Sequence, residues 1–254
     1  MSTEKAEALV LRVVEFSESS AVVTLFTREF GKIHALAKGA RRPKGPFESS
    51  LDLLARVRLV FLRKSSEALD LLTEAKLERR FRPRRGDLSG LYGGYYVAEL
   101  LNELTTDSDP HPELFDLAVA TLDRLTTDEP ASTVVLRFEL QSLRALGHLP
   151  SLRHCAACGE AVAVAAARRT AFGLLDGGVL CDDCRPGKKQ IVSLSNEALT
   201  TLRNLAGEED ESSSTAAENR ILGEVRGVVR RYVCHLLGRK PRLHDFLSVG
   251  AGSP

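Results

Sequence analysis

Hydrophobic and polar positions divide the chain into two patterns. Up to about residue 80 the apolar residues come in short, β-branched runs. Residues 8–16 read Ala-Leu-Val-Leu-Arg-Val-Val-Glu-Phe, and residues 20–28 have the same character. Thr27-Arg28-Glu29-Phe30-Gly31-Lys32 then supplies a turn, with Gly31 suited to positive φ. A third strand is predicted near Ile33 to Lys38, a fourth from Leu53 to Leu62 and a fifth near Ala68–Leu77. In the fourth, Ala55, Val57, Leu59 and Phe61 share one face, while Arg56 and Arg58 share the other with Leu54, Val60 and Leu62. Five short strands in this space predict a small barrel, the form an OB-fold takes.

After Arg85 the period becomes helical. Leu91, Tyr95, Ala98, Leu101 and Leu104 mark a helix from Leu88 to Leu104, which Asp109-Pro110-His111-Pro112 breaks. A second helix is predicted over Glu113–Leu125. A third begins near Ala131 and stops at Gly147, a good residue for the position after a helix. Two more follow a cysteine-containing segment: Ser195–Ala206, with Ser195 as N-cap, and Asn219–Leu237. Between them Gly207–Ser214 is acidic and serine-rich and reads as a mobile loop. The expected class is therefore α+β with several modules. Residues 1–80 form an OB-fold barrel, 81–150 with 190–247 a helical domain, 151–189 a zinc-binding insert, and 248–254 a flexible tail.

Composition adds less than charge placement. Apolar residues make up 43% and charged residues 27%, and no apolar run approaches the roughly 18 residues of a membrane span. Met1-Ser2-Thr3-Glu4-Lys5 lacks the features of a signal peptide, so the expected location is the cytoplasm, with no membrane partner. Net charge is only +1. Yet from Arg28 to Lys64 ten Lys and Arg face three acids (Glu29, Glu48, Asp52), a local charge of +7. Such asymmetry marks either an anion-binding face or a solvated surface.

The cysteines carry the sharpest signal. Cys155-Ala-Ala-Cys158-Gly159 and Cys181-Asp-Asp-Cys184 are two Cys-x-x-Cys pairs with 22 residues between Cys158 and Cys181. Each loop can present two thiolates to one ion, and two loops complete a tetrahedral structural zinc site. Gly159 and Gly177-Gly178 fit the tight turns such loops need. A thioredoxin-like redox pair needs only one Cys-x-x-Cys, and so fits less well. Four thiolates close the shell, which argues against metal catalysis and leaves His154 redundant. Cys234, inside a helical pattern, reads as a small buried apolar residue. Sequences typical of P-loop nucleotidases, His-Glu-x-x-His metalloenzymes, nucleophile elbows and dinucleotide turns are missing, and nothing suggests an enzyme.

Several anchors in order resemble the RecO family of bacterial recombination mediators. They are Ala8-Leu-Val-Leu11, Val23-Thr-Leu-Phe-Thr27, Gly31-Lys32 and Ala37-Lys38-Gly39-Ala40-Arg41-Arg42. Then come Gly147-His-Leu-Pro150, the two cysteine pairs with Phe172 and Gly177-Gly178 between them, Leu237-Gly238-Arg239-Lys240 and Phe246-Leu247. The chain departs from the family at Pro241-Arg242-Leu243-His244-Asp245, where a Lys-Ser-Arg-like stretch is usual. The resemblance implies DNA repair by a non-catalytic recombination mediator. Such a protein binds single- and double-stranded DNA and anneals complementary strands. With RecR it helps load RecA on DNA coated by single-stranded-DNA-binding protein, whose acidic C-terminal tail it docks; RecF stays open as a further partner.

On that reading Lys38, Arg41, Arg42 and Lys44, with Arg56 and Arg58, are the candidates for DNA backbone contact, and Phe30 and Phe47 are the nearby aromatics. Arg137, Phe138 and Arg144 on the third helix, with Gln141 beside them and Arg124 approaching, are the candidates for holding the tail. Their alternative is surface ion pairing with Glu139 or Asp123. A zinc-ribbon transcription or translation factor, and an enzyme with a structural zinc insert, are the competing readings.

Overall fold

The computed structural model describes residues 2–42, 45, 47, 50–64, 68–163, 169–207 and 219–248. Lys44, the acidic stretch from 208 and the tail from 249 lie outside them. The N-terminal apolar runs become five strands: β1 (Ser2–Glu15), β2 (Ala21–Thr27), β3 (Gly31–Ala37), β4 (Arg56–Arg63) and β5 (Asp70–Arg79). They close into a barrel in the order β1-β2-β3-β5-β4, antiparallel except for β3 beside β5. One long strand serves two neighbours because a bulge between Val10 and Arg12 bends it. The first half of β1 pairs with β4 and the second half with β2. Inward side chains from all five strands, among them Val10, Val23, Leu25, Ile33, Val57, Phe61 and Leu72, fill the interior.

The fourth strand starts later than its apolar run suggests. Leu54 is buried but adopts φ 62°, and its amide bonds the Val10 carbonyl at 2.7 Å. That left-handed step turns the chain into the barrel, so the ladder begins at Arg56. Gly31 takes φ 68°, and an added Cβ would meet the Asp109 carbonyl at 2.1 Å. This turn therefore needs glycine for both conformation and space.

The helices follow as α1 (Leu88–Leu104), α2 (Pro112–Arg124), α3 (Ala131–Ala145), α4 (Asn196–Leu205) and α5 (Asn219–Leu237), with a terminal 3-10 helix over Arg242–Ser248. Asp87 caps α1 by accepting from the Gly90 amide, and Ser195 caps α4 by accepting from Ala198. Gly147, at φ 73°, ends the turn after α3. Between α3 and α4 three strands form a small antiparallel sheet: β6 (Thr170–Gly173), β7 (Gly178–Leu180) and β8 (Ile191–Leu194), in the order β7-β6-β8. This sheet is absent from the sequence reading, since runs of three or four residues show no period. The terminal 3-10 helix packs on α1: the Glu99 carboxylate accepts from the Arg242 and Leu243 amides, and His244 is buried beside Tyr96.

Packing gathers the chain into two units, Met1–Val134 with Arg242–Pro254, and Val135–Pro241. α1 and α2 thus group with the barrel, whereas periodicity groups them with the later helices. Lys32 helps explain why. Only 8% exposed, it donates from Nζ to the Asn102 and Thr105 carbonyls, 2.8 and 2.7 Å away, at the C-terminal end of α1. A cation from β3 so satisfies carbonyls that the helix itself cannot.

Candidate metal centre and nucleic-acid interface

The second unit brings all four paired cysteines together. Their sulfurs lie within 4.8 Å of one another, and Cys158 and Cys181 stand 3.8 Å apart. A tetrahedron with metal–sulfur bonds of about 2.3 Å has edges of about 3.8 Å, so the spacing fits one ion. The backbone builds both loops. The Gly159 amide bonds the Cys155 carbonyl at 2.8 Å, with Gly159 at φ 79°, and the Arg185 amide returns to Cys181 at 3.1 Å. The strand register joins them: the Ala156 amide donates to the Val179 carbonyl, and Val179 to Ser151. Gly178 is required there, because a Cβ would meet the Ser151 carbonyl at 2.4 Å.

Burial opposes the Cys155 thiolate, but the amides of Cys181, Cys158 and Ala157 outweigh it and bring its pKa down to about 6. Proton sharing with Cys181 and Cys158 pushes Cys184 up to about 12. A bound cation is what would stabilise all four as thiolates. Sequence reasoning passed over the residue that aims this module. Arg203 on α4, 7% exposed, donates from Nε and Nη2 to the Leu152 carbonyl at 3.0 and 2.7 Å, three residues before Cys155. A lone arginine in an amphipathic helix offers no signal for such a role.

The predicted DNA contacts separate into three groups. Lys38, Arg41 and Arg42 are exposed around the turn after β3, where the Arg42 amide bonds the Gly39 carbonyl. Among the described residues neither Lys38 nor Arg42 has an acidic partner. Arg41 is a latch: its amide bonds the Ser19 carbonyl, and its guanidinium holds the Ser17 carbonyl at 3.3 Å and the Glu15 carboxylate at 3.0 Å. Arg56 and Arg58 belong elsewhere. Arg56 pairs with Glu7 and with Glu78 at 3.4 Å, and Arg58 pairs with Glu78 at 2.5 Å. The hydrogen bond that Arg56 donates to Glu7 raises the Arg56 pKa further. The shallow face around Arg58 carries Lys5 and Lys76 against Glu7, Glu29 and Glu74, a balance that gives phosphate no preference. Neither expected aromatic is available: Phe47 is buried, and Phe30 packs edge-on against Phe61 with the Arg63 guanidinium over its ring.

The expected tail-binding residues on α3 need correction. Phe138 is 1% exposed and forms part of the core, so it cannot line a docking surface. Arg137 is half-buried, and Arg144 donates to the Gly207 carbonyl at 3.1 Å. Glu139 is buried, and Asp123 pairs with Arg79. Arg124 binds Glu129 instead. A small apolar depression lies within the first unit, lined by Leu9, Leu54, Phe81, Val119 and Leu122 and edged by Arg56, Arg79 and Arg80.

Comparison with known proteins agrees with this layout. Residues 1–81 match the family model for the N-terminal part of recombination protein O, and residues 85–244 match that for its C-terminal part. A DNA repair protein RecO of Rhodopirellula baltica is 41% identical, with 94% of this chain and 97% of that protein covered. Those of Anaeromyxobacter dehalogenans and Symbiobacterium thermophilum are 36% and 30% identical over 97% of this chain and 96% and 97% of theirs. A barrel followed by helices and a four-cysteine cluster, matched along nearly its whole length, places the chain in the recombination protein O family of DNA repair proteins.

Proposed function

We propose that the chain is a non-catalytic recombination mediator whose N-terminal barrel is an OB-fold that binds single- and double-stranded DNA and anneals complementary strands. The observation that carries this is the turn from Lys38 to Arg42. It sets exposed cations at one end of a closed five-stranded barrel, without acidic partners among the described residues for Lys38 and Arg42. Phosphate contacts need only charge and reach, and they make binding salt-sensitive. The cysteine quartet would hold one structural Zn²⁺, whose closed shell leaves no position for a reacting water. Thr24, His34 and Asp107 form a hydrogen-bonded chain of 3.1 and 3.3 Å that could suggest a nucleophile, but Thr24 is buried, which favours a structural role.

Cooperation with RecR, loading of RecA and recruitment through the tail of single-stranded-DNA-binding protein follow from the family. They would place the protein at the nucleoid of the cytoplasm. For the tail, the arginine-edged pocket of the first unit fits an acidic segment with an apolar end better than α3 does.

The test is annealing of complementary oligonucleotides without a nucleotide cofactor. Parent protein is expected to accelerate it. Lys38→Ala/Arg42→Ala is expected to weaken binding more at low than at high salt, lowering the salt slope by about 1 to 2. Arg41 is left in place because its removal would disturb the neighbouring turn. Unchanged affinity of the double variant at both salt levels would remove the assignment.

A further inference from the structure

We infer that Phe16 is a base-stacking platform for single-stranded nucleic acid, on a turn that the Arg41 latch ties to the barrel's basic turn. The inference rests on the nucleic-acid reading and adds the group that would grip bases rather than phosphates. Phe16 is 64% exposed, higher than any other large apolar residue among those described. It follows β1 at the start of the β1–β2 turn, close to Val13 and Val14, which are also exposed.

The turn that holds Phe16 is hydrogen-bonded rather than loose. The amides of Phe16 and Ser17 both donate to the Ser20 carbonyl, at 3.0 and 3.1 Å, and the Ser20 amide donates to Ser17 Oγ. Arg41 then fastens this turn to the one after β3 through Ser19, Ser17 and Glu15. The aromatic thus sits on a hydrogen-bonded turn that Arg41 joins to the turn carrying Lys38 and Arg42, whose charges have no acidic partner among the described residues. Glu15 is occupied by Arg41, and Glu18 is the other acid of the turn. An exposed ring on a fixed turn flanked by cations is the combination that binds single strands without reading sequence: charges follow the backbone and the ring takes a base. A duplex keeps its bases stacked, so the ring has nothing to engage there.

The experiment follows fluorescein-labelled oligothymidylate by anisotropy, with full-length parent, Phe16→Ala and Phe16→Trp. Phe16→Ala is expected to bind about 5- to 100-fold more weakly, with the salt slope of the parent and an unchanged thermal midpoint, since the side chain lies outside the core. Phe16→Trp should bind like the parent. The natural chain contains no tryptophan, so the new indole is the sole such fluorophore, and oligothymidylate should quench it. On a matched abasic strand, which keeps phosphates and lacks bases, parent and Phe16→Ala should bind equally.

Parental affinity in Phe16→Ala, an indole unmoved by a strand that binds, or a defect that persists on the abasic strand would each overturn the platform. Each would leave phosphate binding by the turn standing. Failure of the parent to bind oligothymidylate even at low salt would overturn the nucleic-acid reading itself.

Discussion

Cys158 and Cys155 contribute differently to one site. Cys158 is exposed and Cys155 is buried in the small core with Ala171 and Leu180. Replacing Cys155 would therefore remove packing and a ligand together, whereas Cys158→Ser removes the ligand with little packing. An exposed substitution without special function changes stability by about 0.5 kcal/mol or less. Cys158→Ser is expected to exceed that clearly, because metal-binding energy in such modules is largely folding energy. Elemental analysis should find about one zinc per chain in the parent and well below that in the variant. A parent without metal, purified free of chelator, would defeat the assignment. Arg203→Ala probes the same site from behind. The buried Leu152 carbonyl loses both guanidinium hydrogen bonds, a cost of about 1.5–3 kcal/mol, and a chelator should strip the metal faster than from the parent. The grouping of the four cysteines was legible from spacing, because two Cys-x-x-Cys loops suit one tetrahedral thiolate site. Arg203 was not, because its partner is a backbone carbonyl 51 residues away. Phe16 gives no such signal for a related reason: it is distant in sequence from the basic loop, which the β1–β2 turn reaches only through folding.

At the scale of elements, α4, α5 and the segment leading into β6 meet at Glu224. Its carboxylate accepts from the Ser195 hydroxyl and amide, at 2.7 and 2.9 Å, and from Arg169. Burial works against the charge, yet these donors prevail and hold the carboxyl below its usual range. A group depressed in the folded state stabilises the protein above the ordinary carboxylate range, and that contribution is lost as pH falls through the native value. Glu224→Gln should thus be destabilised at neutral pH, by about 1.5–3 kcal/mol on the scale of hydrogen bonds to charged groups. The gap to the parent should close on acidification. Urea midpoints across a pH series check this, and a pH-independent gap would exclude the assignment. The helices themselves were largely readable: apolar period, Ser195 and Gly147 located their ends to within a residue or two. Strand boundaries were readable only where alternation was long. Leu54 belongs to an apolar run, but its left-handed backbone, dictated by barrel closure, takes it out of β4. The strands β6 to β8 are too short to show any alternation, and their pairing is set by the cysteine loops they carry.

At the scale of the whole molecule, the first unit joins the barrel to α1 and α2 through contacts that no local pattern announces. Arg28 binds Asp116 on α2 with two hydrogen bonds of 2.9 Å, and Arg79 at the end of β5 reaches Asp123 at 3.0 Å. The same seam opens into the apolar pocket edged by Arg56, Arg79 and Arg80. An acidic peptide with an apolar last residue could rest that residue on the apolar lining, beside Phe81 and Val119, and present its carboxylates to the edge. The arginines are not idle there, since Asp123 holds Arg79 and Asp52 holds Arg80 at 3.1 Å. Exposed pairs of this kind contribute only about 0–1 kcal/mol, so a peptide carboxylate can take the place of the internal one at small cost. Two opposite effects follow from this exchange. Arg79→Ala/Arg80→Ala should weaken binding of a labelled acidic peptide by about ten-fold, equivalent to about 1.4 kcal/mol. Asp123→Asn, which removes the internal competitor and frees Arg79, should strengthen it. Arg137→Ala, on α3, should bind like the parent. Anisotropy titrations at constant salt measure all three, and the pocket loses its assignment if the double arginine variant matches the parent or if Asp123→Asn weakens the peptide.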